Sequence, residues 1–138
     1  MIKRKITNNS YSISRETIDR IEQYFYDNKK LKRSDLLICI AIYNKCVDYA
    51  VYSEGGKFEN SNIERKYGYF CFSFKSIENI YGISRKKVSE LFKILIKVKA
   101  IEQVQKPRLL KNKALPGIYL VCDMVNAEIY GGLNDLYS

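Results

Sequence analysis

A chain of 138 residues, 46% hydrophobic, suffices for one domain with a real core, and 24 Lys and Arg against 15 Asp and Glu give a net charge of +9. It contains no histidine, which removes the usual general base along with Ser-His, Cys-His and histidine-metal nuclease or relaxase chemistry. A GxxxxGK[ST] loop, CxxC zinc spacing, a signal-peptide run and a membrane-length apolar segment are absent too, so the sequence predicts a cytoplasmic, non-enzymatic protein without metal or cofactor that attracts polyanions.

Residues 1–12 are basic and polar without periodicity, and read as an arm or a first edge strand. Ser14 is placed to cap a helix over RETIDRIEQYFYD, where Ile18, Ile21 and Phe25 form one apolar stripe. A basic connector, NKKLKR, follows. Ser34 is expected to cap the most hydrophobic helix, DLLICIAIYNKCVDYAVY, with Leu36, Leu37, Ile40, Tyr43, Val47 and Ala50 inward. On that helix Cys39 and Cys46 share a face and read as small buried hydrophobes. With Cys71 and Cys122 they are expected to be structural thiols of a reducing compartment. Residues 53–66 are polar and read as a loop, with Gly55-Gly56 ending the helix. Alternating aromatics over 67–72 predict a strand.

From Ser73 onward the pattern is that of a helix-turn-helix. Ser73 caps a short helix whose Ile77 and Ile80 are expected to face the core, and Gly82 sits where the chain needs a positive φ. Ile83 fills the turn and Ser84 caps the next helix. At about 100° per residue, Ser84, Val88, Leu91, Leu95 and Val98 share one face. Arg85, Lys86, Ser89, Glu90, Lys93 and Lys97 fall on the other, and Lys87 lies on the border, which argues against base contacts for it. Such a basic face in isolation would be an ordinary solvated surface. The short helix and glycine turn before it, and the hairpin after it, favour a surface that meets DNA.

Strands are predicted over 101–105 and 117–121, joined by KPRLLKNKALP, a wing loop with Lys106, Arg108, Lys111 and Lys113 and no acid. Pro107 and Pro116 bracket it, as prolines that would disrupt a central strand should. A basic wing can follow phosphates or enter the minor groove; its bland counterpart is a solubilising hairpin tip. Leu109 and Leu110 are unusual at such a tip and suggest a fold back onto the core or contact with a second subunit. Residues 123–138 hold Asp123, Glu128 and Asp135 and no base, a charge of −3 that leaves +12 on residues 1–122. That end reads as an acidic tail or a short partner-binding segment.

The run GISRKKVSELFKILIKVKAIEQV resembles the winged helix-turn-helix family, in which a serine-capped recognition helix leads through a leucine-glycine-leucine-isoleucine step into the wing. Ala100 stands where that family usually has glycine, so the step is expected to be less sharply turned. The wider order over about residues 11–122 comprises YSIS, LKRSDLLICIAIYNK, an insertion, FSFKSIENIYGIS and the wing. It is similar to the amino-terminal DNA-binding domains of plasmid replication initiators and phage replisome organisers. The resemblance implies an α+β winged-helix domain over 1–122, with the helix-turn-helix at 73–99, the wing at 101–121 and an extra amino-terminal helix. It implies origin or operator binding through Ser84, Arg85, Lys86 and Ser89.

In the major groove, Arg85 and Lys86 would meet guanine edges or phosphates, Ser89 a base edge and Lys93 a phosphate. The amino end of the short helix, at Ser73 and Lys75, would hold another phosphate through backbone N–H groups, and Arg108, Lys111 and Lys113 would meet the duplex from the wing. A homodimer on repeated half-sites is expected, with double-stranded DNA as partner and replication or partition proteins as further ones. A chain ending at Ser138 would also suit a transcriptional repressor, since an initiator normally carries a recruiting region. A third reading is a partition or conjugation adaptor that uses the winged helix for protein contacts.

Overall fold

The computed structural model describes residues 14–51, 55–71 and 73–123; the expected amino-terminal arm and nearly all of the acidic carboxyl-terminal segment lie outside them. The elements are α1 (Arg15–Asp27), α2 (Arg33–Val51), β1 (Tyr69–Cys71), α3 (Phe74–Tyr81), α4 (Arg85–Lys97), β2 (Ile101–Gln105), β3 (Arg108–Leu110), β4 (Lys113–Leu115) and β5 (Ile118–Val121). They form a mixed α+β fold with a three-stranded sheet, order β1-β5-β2, and a separate β3-β4 ribbon. All pairings are antiparallel. No helix among the described residues is long and apolar enough to cross a membrane.

Serine sets the start of three helices. Ser14 Oγ accepts the Thr17 amide at 3.2 Å, Ser73 Oγ that of Ser76 at 3.3 Å, and Ser84 Oγ that of Lys87 at 3.1 Å. Each satisfies one N–H that the first turn would otherwise leave unpaired. Ser34 does not do this. The connector winds up earlier, with the Leu31 amide on Asn28 O and the Asp35 amide on Lys32 O, so α2 starts at Arg33 and Ser34 lies in its first turn.

The core is built on α2. Its seam runs through Cys39, Ile42, Tyr43, Cys46, Val47 and Ala50, all buried, with Leu36 and Ile40 at its edge. Leu37, expected inside, is 70% exposed, because the seam's spacing of three and four residues leaves it on the far side of the helix. Ile80 is displaced likewise: α3 packs through Phe74, Ile77 and Tyr81, whose hydroxyl donates to Ala41 O at 3.2 Å, and Ile80 is left outside. On α1, Ile21 and Phe25 are buried with Ile18 packed beside them.

An aromatic chain joins the sheet to the helices. Phe70 and Tyr119, opposed in the β1-β5 register, stack at 5.6 Å; Tyr119 meets Phe92 edge-on at 5.3 Å, and Phe92 meets Phe74 at 4.9 Å. Gly117 lies where β5 begins. A Cβ there would come within 2.9 Å of Gln105 O and of the Tyr119 hydroxyl, so the close approach of two strands requires glycine.

The step from α4 to β2 is sharp despite Ala100. Lys99 itself takes the left-handed conformation, φ 63°. Its amide donates to Ile96 O at 3.0 Å and the Ala100 amide to Leu95 O at 2.9 Å, the paired bonds of a Schellman end. The glycine-like position is therefore 99, one residue before the expected one. Arg20 of α1 reinforces it: Nε donates to Val98 O at 2.8 Å and Nη2 to Lys99 O at 3.3 Å.

The connection expected to be a wing loop is itself regular. The β3-β4 ribbon turns through Lys111 and Asn112, both left-handed at φ 50° and 68°, as a two-residue type I′ turn demands. Leu109 and Leu110 are 71% and 38% exposed and do not fold back onto the core.

Core and surface on α4 should separate cleanly. Leu91→Ala is expected to lower stability by about 2–5 kcal/mol, and Lys93→Ala to change it by less than about half a kcal/mol. Thermal melts of the two variants check this; the reverse order would mean the helical phase is wrong.

Candidate nucleic-acid interface

Two elements carry the cations predicted to meet DNA: α4, on its exposed face, and the β3-β4 ribbon that follows β2. The inner face buries Val88, Leu91, Phe92, Ile94 and Leu95, a wider stripe than the sequence suggests, since Phe92 and Ile94 flank the predicted positions. Arg85, Lys86, Glu90, Lys93 and Lys97 are exposed and Ser89 is half-buried. The face predicted to read DNA is thus the outward one, apart from Ser84. That residue is exposed, and its hydroxyl oxygen serves as the N-cap.

The first turn of α4 is electrostatically unusual. It carries Arg85, Lys86 and Lys87 and no acid, although cations at the positive end of a helix are each unfavourable by about 0.3–1 kcal/mol. Two are answered from neighbouring helices. Arg85 Nε donates to Glu78 Oε2 of α3 at 2.8 Å, and Lys87 Nζ to Asp35 Oδ2 of α2 at 2.8 Å, with Glu90 Oε1 at 3.8 Å. The bond to Asp35 raises the Lys87 pKa above its ordinary 10.5, so Lys87 is a charged strut between helix starts, consistent with its border position. Lys86 and Lys93 have no ion-pair partner among the described residues.

At the start of α3, Ser73 and Lys75 are exposed. Ser73 Oγ is occupied by the Ser76 amide and lies 3.1 Å from Ser76 Oγ. Gly82, left-handed at φ 63°, ends α3 with its amide on Glu78 O at 2.8 Å and turns the chain into Ser84.

The ribbon has two faces, fixed by its register. Arg108, Leu110, Lys113 and Leu115 share one; Leu109 and Ala114 share the other. The first is docked on the segment that follows α2. There, residues 57–64 fold on themselves through the Lys57-Glu64 bridge and the Phe58 amide on Ile63 O. Phe58 is buried at 4% exposure, Leu115 at 3%, and Arg65 lies over the Phe58 ring at 5.3 Å. Arg108 donates to Asn60 O and to the Gln105 amide oxygen, and Lys113 pairs with Glu59. Two of the three wing cations assigned to the duplex from sequence, Arg108 and Lys113, therefore hold the ribbon in place. Lys111 at the turn and Lys106 before it are exposed.

Sequence reading missed Glu78, Asp35, Glu59, Asn60 and Arg20 as organisers of this surface. Only Asp35 leaves a local signal, a carboxylate in line with the apolar seam of α2. The others act across turns or long separations.

Burial disfavours the thiolate form of all four cysteines. Burial, followed by the charge of Asp35, pushes Cys39 from 9.0 to about 12, and burial holds Cys46 well above 9.0; Cys71 and Cys122 are also raised, first by burial. Among the described residues no cluster of Cys, Asp and Glu could hold a metal ion. In comparison with known proteins, the chain matches no family model, no curated protein and no solved structure.

The raised thiols set an alkaline limit. An unfolded thiol ionises near 9.0, well before the folded Cys39 at about 12, so the stabilisation is complete below pH 9 and is lost as pH rises from there toward 12. Tyr43, raised by burial from 10.0 to about 12, acts in the same direction. Melting temperature should fall steadily above pH 9, and Cys39 and Cys46 should resist a maleimide at pH 7 until the protein unfolds. Rapid labelling of either in the folded protein would contradict their burial.

Proposed function

We propose that this chain is a winged-helix protein that binds double-stranded DNA sequence-specifically, without catalysis, with α4 in the major groove and the β3-β4 ribbon against the flanking backbone. A helix, an insertion, a helix-turn-helix and a wing follow one another as the family resemblance implies, here as α2, residues 55–68, α3 with α4, and β2 with β5. The observation that carries the reading is the first turn of α4. Arg85 and Lys86 are exposed there against the helix dipole, on a helix whose opposite face is sealed into the core. That turn is less stable for its charges, and an external polyanion would reverse the sign of the effect. A single helix presented on its outer side fits a groove about 12 Å wide.

In this reading Arg85 and Lys86 meet guanine edges, Ser89 and Ser84 nearby base edges or phosphates, and Lys93, Ser73 and Lys75 phosphates. Lys106 and Lys111 supply the ribbon's phosphate contacts, while Arg108 and Lys113 aim it. The biological setting we propose is origin recognition in plasmid or phage replication, by a homodimer on repeated half-sites.

Enrichment of bound fragments from random duplex DNA should yield a defined site. Arg85→Ala and Lys86→Ala should each remove about 1–3 kcal/mol of affinity for it without lowering the melting temperature. Undiminished affinity would exclude α4 as the reader.

The ribbon is tested separately. Lys106→Ala with Lys111→Ala should weaken binding to all sequences and reduce the salt slope by about one unit per lost phosphate contact. A loss confined to the selected site would mean that the ribbon reads bases.

A further inference from the structure

An acid beside a surface that meets a polyanion needs a reason. Glu78 is the only acid of α3, and it stands at the turn beside the first residue of α4. Its side chain is 25% exposed and that of its partner Arg85 67%. Ion pairs this open add little to stability, so holding the fold together does not account for it. A carboxylate here also repels phosphate, which makes it unfavourable for unspecific DNA binding.

The geometry of the pair gives the reason. Glu78 Oε2 takes the hydrogen of Arg85 Nε at 2.8 Å. A guanidinium donates through Nε, Nη1 and Nη2, and a carboxylate on Nε leaves the Nη1-Nη2 edge unused. That edge, at the far end of the side chain, is a pair of parallel donors matched to O6 and N7 of guanine. Lys86, its neighbour, has no such brace among the described residues, and its ammonium, a point charge on a flexible stem, reaches a guanine edge without a fixed orientation.

We propose that Glu78 is a positioning residue: it holds the Arg85 guanidinium so that its outer edge reads one guanine in each half-site. The inference rests on the DNA-binding reading and adds the base class that one position of the site must carry. Glu78 makes no contact with DNA; it acts through Arg85. The partner chemistry is the major-groove edge of a G·C pair.

The test measures base preference at every position of the enriched site for the wild-type chain, Glu78→Ala, Glu78→Gln and Arg85→Ala. Glu78→Ala should lose about tenfold or more of the guanine preference at one position, the same position that Arg85→Ala flattens, and the double variant should lose no more than Arg85→Ala alone. Glu78→Gln keeps an acceptor for Nε–H and should retain most of the preference. Affinity of Glu78→Ala for unrelated duplex should equal or exceed that of the wild type, since a negative charge is gone. Two results would overturn the proposal while leaving DNA binding intact. One is higher affinity for all sequences with the guanine preference unchanged, which would make Glu78 a charge shield. The other is an equal loss on all sequences together with a lower melting temperature, which would make it a structural brace. If the wild-type chain enriches no sequence at all, the DNA-binding reading fails and this inference falls with it.

Discussion

The inner face of α4 against α2 is the contact on which the outward chemistry depends. Leu91 and Leu95 lie in the same cluster as Cys39, Ile42 and Cys46, with the Cys39 thiol 4.0 Å from Leu91 O, and Phe92 extends it to the sheet through Tyr119. At about 25 cal/mol per Å² of apolar surface removed from water, burial of this stripe outweighs any single polar contact on the opposite side. The helix can therefore carry a first turn that its own dipole opposes. Its rotation about its axis is set by side chains that never reach the surface.

Around that anchor, charge is organised by helix ends rather than by a diffuse basic coat. Asp35 at the start of α2 and Glu78 toward the end of α3 each answer one cation of α4, at the same 2.8 Å. Arg20 of α1 takes the carbonyls at the other end, Val98 and Lys99. The carbonyl end of a helix is its negative pole, so both poles of α4 are met by side chains of other helices.

Signals that act over three or four residues were legible in the sequence. The serine caps at 14, 73 and 84, the left-handed Gly82 and the apolar stripe of α4 are local, and the structure has them where the sequence places them. Leu37 lies outside because hydrophobicity alone does not fix the phase of α2, which is apolar nearly all round, and Ile80 lies outside because α3 packs through Phe74, Ile77 and Tyr81 instead. The prolines marked the limits of the connection between β2 and β5, but its ribbon was hidden. Its turn uses Lys111-Asn112, which lacks the Asn-Gly signature of a type I′ turn. The ribbon's docking was hidden for a different reason: Glu59 and Asn60 meet Lys113 and Arg108 across about fifty residues of chain, and no periodicity encodes such a pairing.

That docking has a consequence for the thermodynamics of any encounter. A free two-stranded ribbon is marginal in water and would surrender its conformational freedom on meeting a partner. Here Leu115 of β4 is buried, Lys113 and Arg108 tether the ribbon, and its path is set during folding. The ordering entropy is thus settled before association rather than deducted from it. A partner covering the outer face of Leu109 and Ala114 would meet a rigid body, and the heat-capacity change of the complex would report the surface it covers, with no term for folding of the ribbon.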